Sequence, residues 1–215
     1  IISLIFLLSL SVTAFGESSE EKGYKIAARS DRSDNGYGDS KVEMTMILRN
    51  AAGDETTRSI SFTTLERENE DVGDKSLVLF NTPRDIKGTA LLSHAQILEP
   101  DNQWLYLPAL KRVKRISSSN KSGPFVGSEF AFEDFTATEL KKFSYKFLRE
   151  EPCGELICDV LERVPLYKKS GYSKQISWID HSIFQLRKLE FYDRKGQLLK
   201  VLEASDYREY LDGIW

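Results

Sequence analysis

The stretch KSLVLFN (75–81) sets Leu77, Val78, Leu79 and Phe80 in unbroken succession, and QWLYL (103–107) repeats the pattern with Trp104, Leu105, Tyr106 and Leu107. Both runs are short, rich in aromatic and branched residues, and bounded by turn formers, so both read as strands. A sheet with one wet face alternates apolar and polar side chains; these strands are apolar on both faces. Something must therefore cover both sides. The sequence offers only one or two short helices. The economical arrangement is an antiparallel sheet curled around a pocket, with an apolar concave side.

Working outward, further runs fall at the spacing of an antiparallel sheet or barrel. They cover 41–49, 57–67, 89–98, 111–117, 142–151, 156–164, 173–180, 185–192 and 197–204. In 41–49, Val42, Met44, Met46 and Leu48 share one face while Lys41, Glu43, Thr45 and Arg49 share the other. Residues 19–32 form a polar, helical start. Thr136 and Glu139 stand at capping-box spacing and predict a second short helix. No repeat or linker interrupts the chain, so 17–215 is expected to form one domain.

Residues 1–16 (IISLIFLLSLSVTAFG) carry no charge and are followed at once by acidic residues. The run is shorter than the roughly 20 residues that span a bilayer. It ends in a small-x-small pattern, Ala14-Phe15-Gly16, and reads as the apolar core and cleavage site of an export signal, without its initiator Met and basic n-region. Export implies an oxidising compartment, where Cys153 and Cys158 are able to bridge across a hairpin; two unpaired buried thiols are the other reading. The formal net charge of −3 disfavours a nucleic-acid partner.

Four stretches carry a family resemblance: DNGYGDS (34–40), preceded by Gly23-Tyr24; KGTALLSH (87–94); DNQWLYLPALKRVKRISSSNKSGPFVGSEFAFEDF (101–135); and SWIDHSIFQLRKLEFYDRKGQLLK (177–200). These resemble the periplasmic outer membrane lipoprotein-sorting family, which is LolA-like. The resemblance runs from about Gly23 to Trp215. It implies a half-open antiparallel β-barrel of about eleven strands closed by short helices, with a hydrophobic cavity and no chemistry. It also implies carriage of acyl chains from lipoproteins or lipids, an inner-membrane RND-type transporter as neighbour, and an outer-membrane acceptor. The family usually continues beyond the GIW at 213–215, so an exposed edge strand is expected where this chain ends.

For such a carrier, the candidate lining residues are Leu79, Leu91, Trp104 and Tyr106 from the doubly apolar strands, with plain core packing as the competing role. Phe125, Phe130 and Phe132 lie in the Gly-flanked segment 123–135. That segment reads equally as a lid over a cavity or as a plug in the core. Lys111, Arg112, Lys114 and Arg115, with Lys121 nearby, form a basic run suited to lipid headgroups or an acidic partner, or simply to a solvated strand. No G-x-S-x-G or phosphate-binding loop is present, and His94 and His181 are isolated, so neither catalysis, a metal nor a cofactor is expected. The alternative to a carrier is an accessory or sensor module that docks to a membrane transporter.

Overall fold

The computed structural model describes residues 16–66, 72–210 and 213–215. The predicted export segment lies outside the described residues except for Gly16. One α-helix, α1 (Ser19–Ser33), opens the described chain. Ser18 caps it: the Ser18 hydroxyl accepts from the Glu21 N–H, and the Glu21 carboxylate accepts from the Ser18 N–H. This reciprocal pair satisfies two of the free donors at the helix start. Among the described residues no helix is long and apolar enough to cross a membrane.

Among the described residues eleven antiparallel strands follow, in two sheets. The first holds β1 (Asp39–Arg49), β2 (Glu55–Leu65), β3 (Lys75–Thr82), β4 (Ala90–His94), β5 (Asn102–Leu107) and β6 (Arg112–Ile116), in chain order. The second holds β7 (Phe143–Cys153), β8 (Leu156–Pro165), β9 (Tyr172–Asp180), β10 (Leu186–Asp193) and β11 (Leu198–Glu203). Each strand pairs with its sequence neighbour, as short connections favour. Among the described residues no ladder joins the two sheets, so neither is closed into a barrel. Strand β6 forms one edge and β11 another. Cys153 and Cys158 form a disulfide across the β7–β8 hairpin.

Segment 117–142 connects the sheets, and it covers the inner face of the first. Phe125 is fully buried against Phe80, Phe132 and Phe135, with ring centroids 5.6, 5.6 and 4.1 Å away. Beneath these rings lie Ile60, Val78, Phe80, Leu91 and Leu105. A buried loop needs partners for its backbone. The sheet supplies them: Ser76 Oγ donates to the Phe135 carbonyl (3.1 Å), Gln103 Nε2 to Phe132 (2.7 Å), and Arg58 Nη1 to Val126 (2.7 Å). The Phe-rich segment is thus a plug rather than a free lid.

The predicted helix after Thr136 is a single 3-10 turn, Leu140–Lys142. The capping box fails because its two members are engaged elsewhere. Thr136 Oγ1 donates to the Glu133 carbonyl, and Glu139 Oε1 accepts from the Asp74 N–H. The strand expected over 89–98 stops at His94, because Asp101 Oδ1 takes the Gln96 N–H and turns the chain.

Helix α1 rests on the second sheet through Gly23. A Cβ there would stand 2.6 Å from the Phe147 backbone nitrogen and 2.8–2.9 Å from backbone atoms of Lys146. Replacing a helical glycine by alanine ordinarily stabilises by about 0.5–1 kcal/mol. Here the sign is expected to reverse: Gly23→Ala forces the helix off β7 and costs about 1–3 kcal/mol, as overpacking does. Thermal denaturation of the two proteins checks this, and an unchanged or raised melting temperature contradicts it.

Candidate functional site

Beside the plug, between α1 and the inner faces of the two sheets, lies a cavity of about 1400 Å³. That exceeds the roughly 300–1,000 Å³ common for small-molecule sites. Register explains its wall. On the second sheet, Leu161, Ser177, Leu189 and Leu202 stand side by side, and the next row is Tyr145, Arg163, Gln175, Phe191 and Lys200. Leu186, Ile179 and Phe143 extend this surface, while Phe62, Phe130 and Phe135 face it from the first sheet and the plug. The wall is thus largely apolar, with a few fixed polar groups.

Most of those polar groups are spoken for. Lys200 pairs with Asp134, whose other oxygen accepts from the Tyr172 hydroxyl at 2.7 Å. Glu133 accepts from the Gly171 N–H (2.8 Å), Ser170 Oγ (3.0 Å) and the Tyr167 hydroxyl (3.3 Å). Burial nevertheless raises its carboxyl above the ordinary range. The Tyr145 hydroxyl donates to the Leu140 carbonyl at 3.1 Å, and burial pushes its pKa up to about 12. Asp101 is buried between Lys142 (2.9 Å) and Lys121 (3.2 Å). Burial works against its charge, but the two ammonium groups prevail and hold the carboxyl below its usual value.

Beside the end of α1 the cavity is lined by Asp31, Asp34, Asp74 and Glu139 together with the cations Arg32, Lys75 and Lys141. Burial raises the Asp31 carboxyl to about 6, helped by the charges of Glu139, Asp34 and Asp74.

The residues expected to line one concave wall divide between two faces. Leu91 points inward into the core, and Phe125 and Phe132 pack with it in the plug; only Phe130 of the candidates borders the cavity. Leu79 and Tyr106 flank Ala90 on the opposite, outer face, and Trp104 lies beside Leu92 in the next outer row. The expectation of a shared wall is corrected: β3 and β5 are apolar on both faces because the outer face is an exposed apolar surface, with Leu77, Leu92, Tyr106 and Val113 all solvent-accessible. Of the basic run, Lys111, Arg112, Lys114 and Arg115 are exposed at the edge strand β6 and the turn before it, whereas Lys121 is buried against Asp101. At the surface, Glu150, Asp159 and His181 bring ligand atoms within 4.8 Å of one another. Glu150 is paired with Lys22, and His181 with Asp159.

Sequence reading passed over Arg163. Its signal was a charged residue sharing the parity of Leu161 in β8, hence facing inward. It also passed over the carboxylates Asp31, Asp34, Asp74 and Glu139 beside the end of α1, because they come from three separate segments.

A protein-family model described as an uncharacterized protein matches residues 73–215. No curated protein matches the chain. Among solved structures, the chain is 49% identical to one described as an outer membrane lipoprotein-sorting protein domain from Vibrio parahaemolyticus, covering 91% of this chain and 82% of that one, with a TM-score of 0.87. It is 32% identical to a DUF1329 family protein from Desulfovibrio piger, covering 92% and 83%, with a TM-score of 0.85. A LolA superfamily protein from Nitrosomonas europaea, 22% identical over 88% of this chain and 80% of its own, shares the fold with a TM-score of 0.68.

The raised Asp31 pKa makes a signed prediction. The folded state holds this proton more tightly than the unfolded chain. The cost of ionising Asp31 is therefore absent below about pH 4, grows as pH rises toward 6, and is full above it. Asp31→Asn is expected to raise the melting temperature at pH 7.5 and to leave it nearly unchanged at pH 4. An equal effect at both pH values contradicts the assignment.

Proposed function

The chain belongs to the outer membrane lipoprotein-sorting family, LolA-like in fold, and on that footing we propose that it is an exported, non-enzymatic carrier that holds acyl chains of lipoproteins or lipids in the cavity between its sheets. The two sheets serve as the walls of a half-open barrel, with the plug lying on the inner face of the first and α1 packed against the second. The observation that carries this reading is the apolar inner face of β8 to β11, where Leu161, Leu189, Phe191 and Leu202 border a cavity of about 1400 Å³, with Leu161 itself fully buried in that wall. Burying one methylene is worth about 0.8 kcal/mol, so a chain of about sixteen carbons gains on the order of ten on leaving water. The periplasm as the compartment, and transfer toward the outer membrane, rest on the export-like segment and on the description of the Vibrio domain.

Binding of a fluorescent fatty acid tests the proposal. The wild type should bind it. Leu202→Trp, which puts a large ring into the cavity, should weaken binding by at least about tenfold, since it removes room for several methylenes. Trp104→Asp, on the outer face, should leave affinity unchanged. No binding by the wild type, or undiminished binding by Leu202→Trp, refutes the carrier reading.

The outer face of the first sheet favours a second reading, in which the protein is an accessory module docked to an RND-type transporter. Exposed Tyr106 and Val113 lie beside four exposed cations on and next to an edge strand, a combination suited to an acidic partner surface. Arg112→Glu with Lys114→Glu should abolish capture of such a transporter and leave fatty-acid binding intact. Retained capture removes this reading.

A further inference from the structure

Arg163 differs from the buried Lys142 and the partly buried Lys200 in having no carboxylate partner among the described residues. It sits on β8 between Tyr145 and Gln175, partly buried, with its guanidinium 4.9 Å from the centre of the Phe143 ring. Its Nε donates to Gln175 Oε1, a neutral acceptor. Among the described residues no carboxylate lies within ion-pair distance of it, and no protein acceptor meets its two terminal amino groups. Lys200 in the same row has Asp134, and Lys142 has Asp101. Arginine stays charged at any working pH and offers five donors, of which the protein engages one here.

This matters when the cavity fills. Water in an open cavity solvates a guanidinium. An acyl chain that displaces that water strands the charge in apolar surroundings, at a cost of several kcal/mol unless a counter-ion arrives with it. Arginine presents a planar fork that matches carboxylate and phosphate oxygens. One step further along the strands stand Leu161, Ser177, Leu189 and Leu202; Leu161 is sealed in the wall, and the partly buried Leu202 next to Leu189 offers the surface suited to a hydrocarbon tail.

Building on the carrier reading, we propose that Arg163 is the anion-binding group of the cavity, so that the preferred cargo is an amphiphile whose single carboxylate or phosphate head pairs with this guanidinium while its tail runs over the leucine row. Gln175 is a positioning residue: it holds Nε and aims the free edge of the fork into the cavity.

Calorimetric titration at about pH 8, where carboxylates are ionised, with dodecanoate, dodecyl phosphate and dodecanol tests this. The wild type should bind one or both anionic ligands about ten- to a hundredfold more tightly than dodecanol, the range for a hydrogen bond to a charged group. The anion that gains more identifies a fatty-acid or a phospholipid-type head. Arg163→Gln should reduce that ratio to about one while dodecanol still binds, and Arg163→Lys should keep part of the preference. Should Arg163→Gln bind none of the three, Arg163→Lys decides: an anion preference retained there supports the proposal, and none overturns it. Equal affinity for all three ligands in the wild type, or an anion preference that survives Arg163→Gln, overturns the proposal and leaves the carrier reading standing. Failure of the wild type to bind any of them removes the carrier reading, and this inference falls with it.

Discussion

A single buried carboxylate organises the centre of this molecule. Asp101 stands immediately before β5 and accepts from two nearly inaccessible ammonium groups, Lys121 in the plug and Lys142 at the entrance to β7. One side chain thereby joins the first sheet, the plug and the start of the second sheet. Such a triad adds little stability over an apolar equivalent, but losing one member leaves an uncompensated buried charge. It acts as a register pin. With Asp101 satisfied, the plug's carbonyls meet Arg58, Ser76 and Gln103 on the sheet beneath, and the phenylalanine rings fill the remaining space. Its depressed pKa carries a sign: this contribution is present above the ordinary carboxylate range and fades as acid protonates Asp101 in the folded state.

The strands were legible in the sequence because period-two patterning and turn residues are local signals. Strands β3 and β5, the β10–β11 turn and the helical start all stand where the residues put them, to within a few positions. The destination of each face was not legible. Leu79 and Leu91 have the same apolarity, yet Leu91 is sealed in the core and Leu79 is on the outside. Nothing in a doubly apolar strand says which side meets the partner layer. The Phe-rich segment was ambiguous for the same reason: its role depends on Ser76 and Gln103, far away in sequence. Lys121 was the hardest to read. Only the fold brings Asp101 to it and turns a seemingly solvated lysine into an interior one.

The two sheets divide their duties. The first spends most of its inner face on the plug, with Phe62 left at the border of the cavity. The second packs Leu161, Leu189 and Phe191 into the wall of the cavity, where Leu202 and Arg163 are only partly buried. Its outer face has a separate small cluster, where Val160, Ile176 and Trp178 pack around the Cys153–Cys158 bridge. That cluster steadies the wall from behind without using any residue that faces the cavity.

This division has an evolutionary consequence. Substitutions on the inner face of the first sheet exchange packing for packing and register as changes in fitness through folding. Substitutions along the rows of β8 to β11 alter the volume and polarity of the chamber while the plug keeps the frame standing. Variation along those rows therefore changes the chamber as well as the packing, whereas variation beneath the plug changes packing alone.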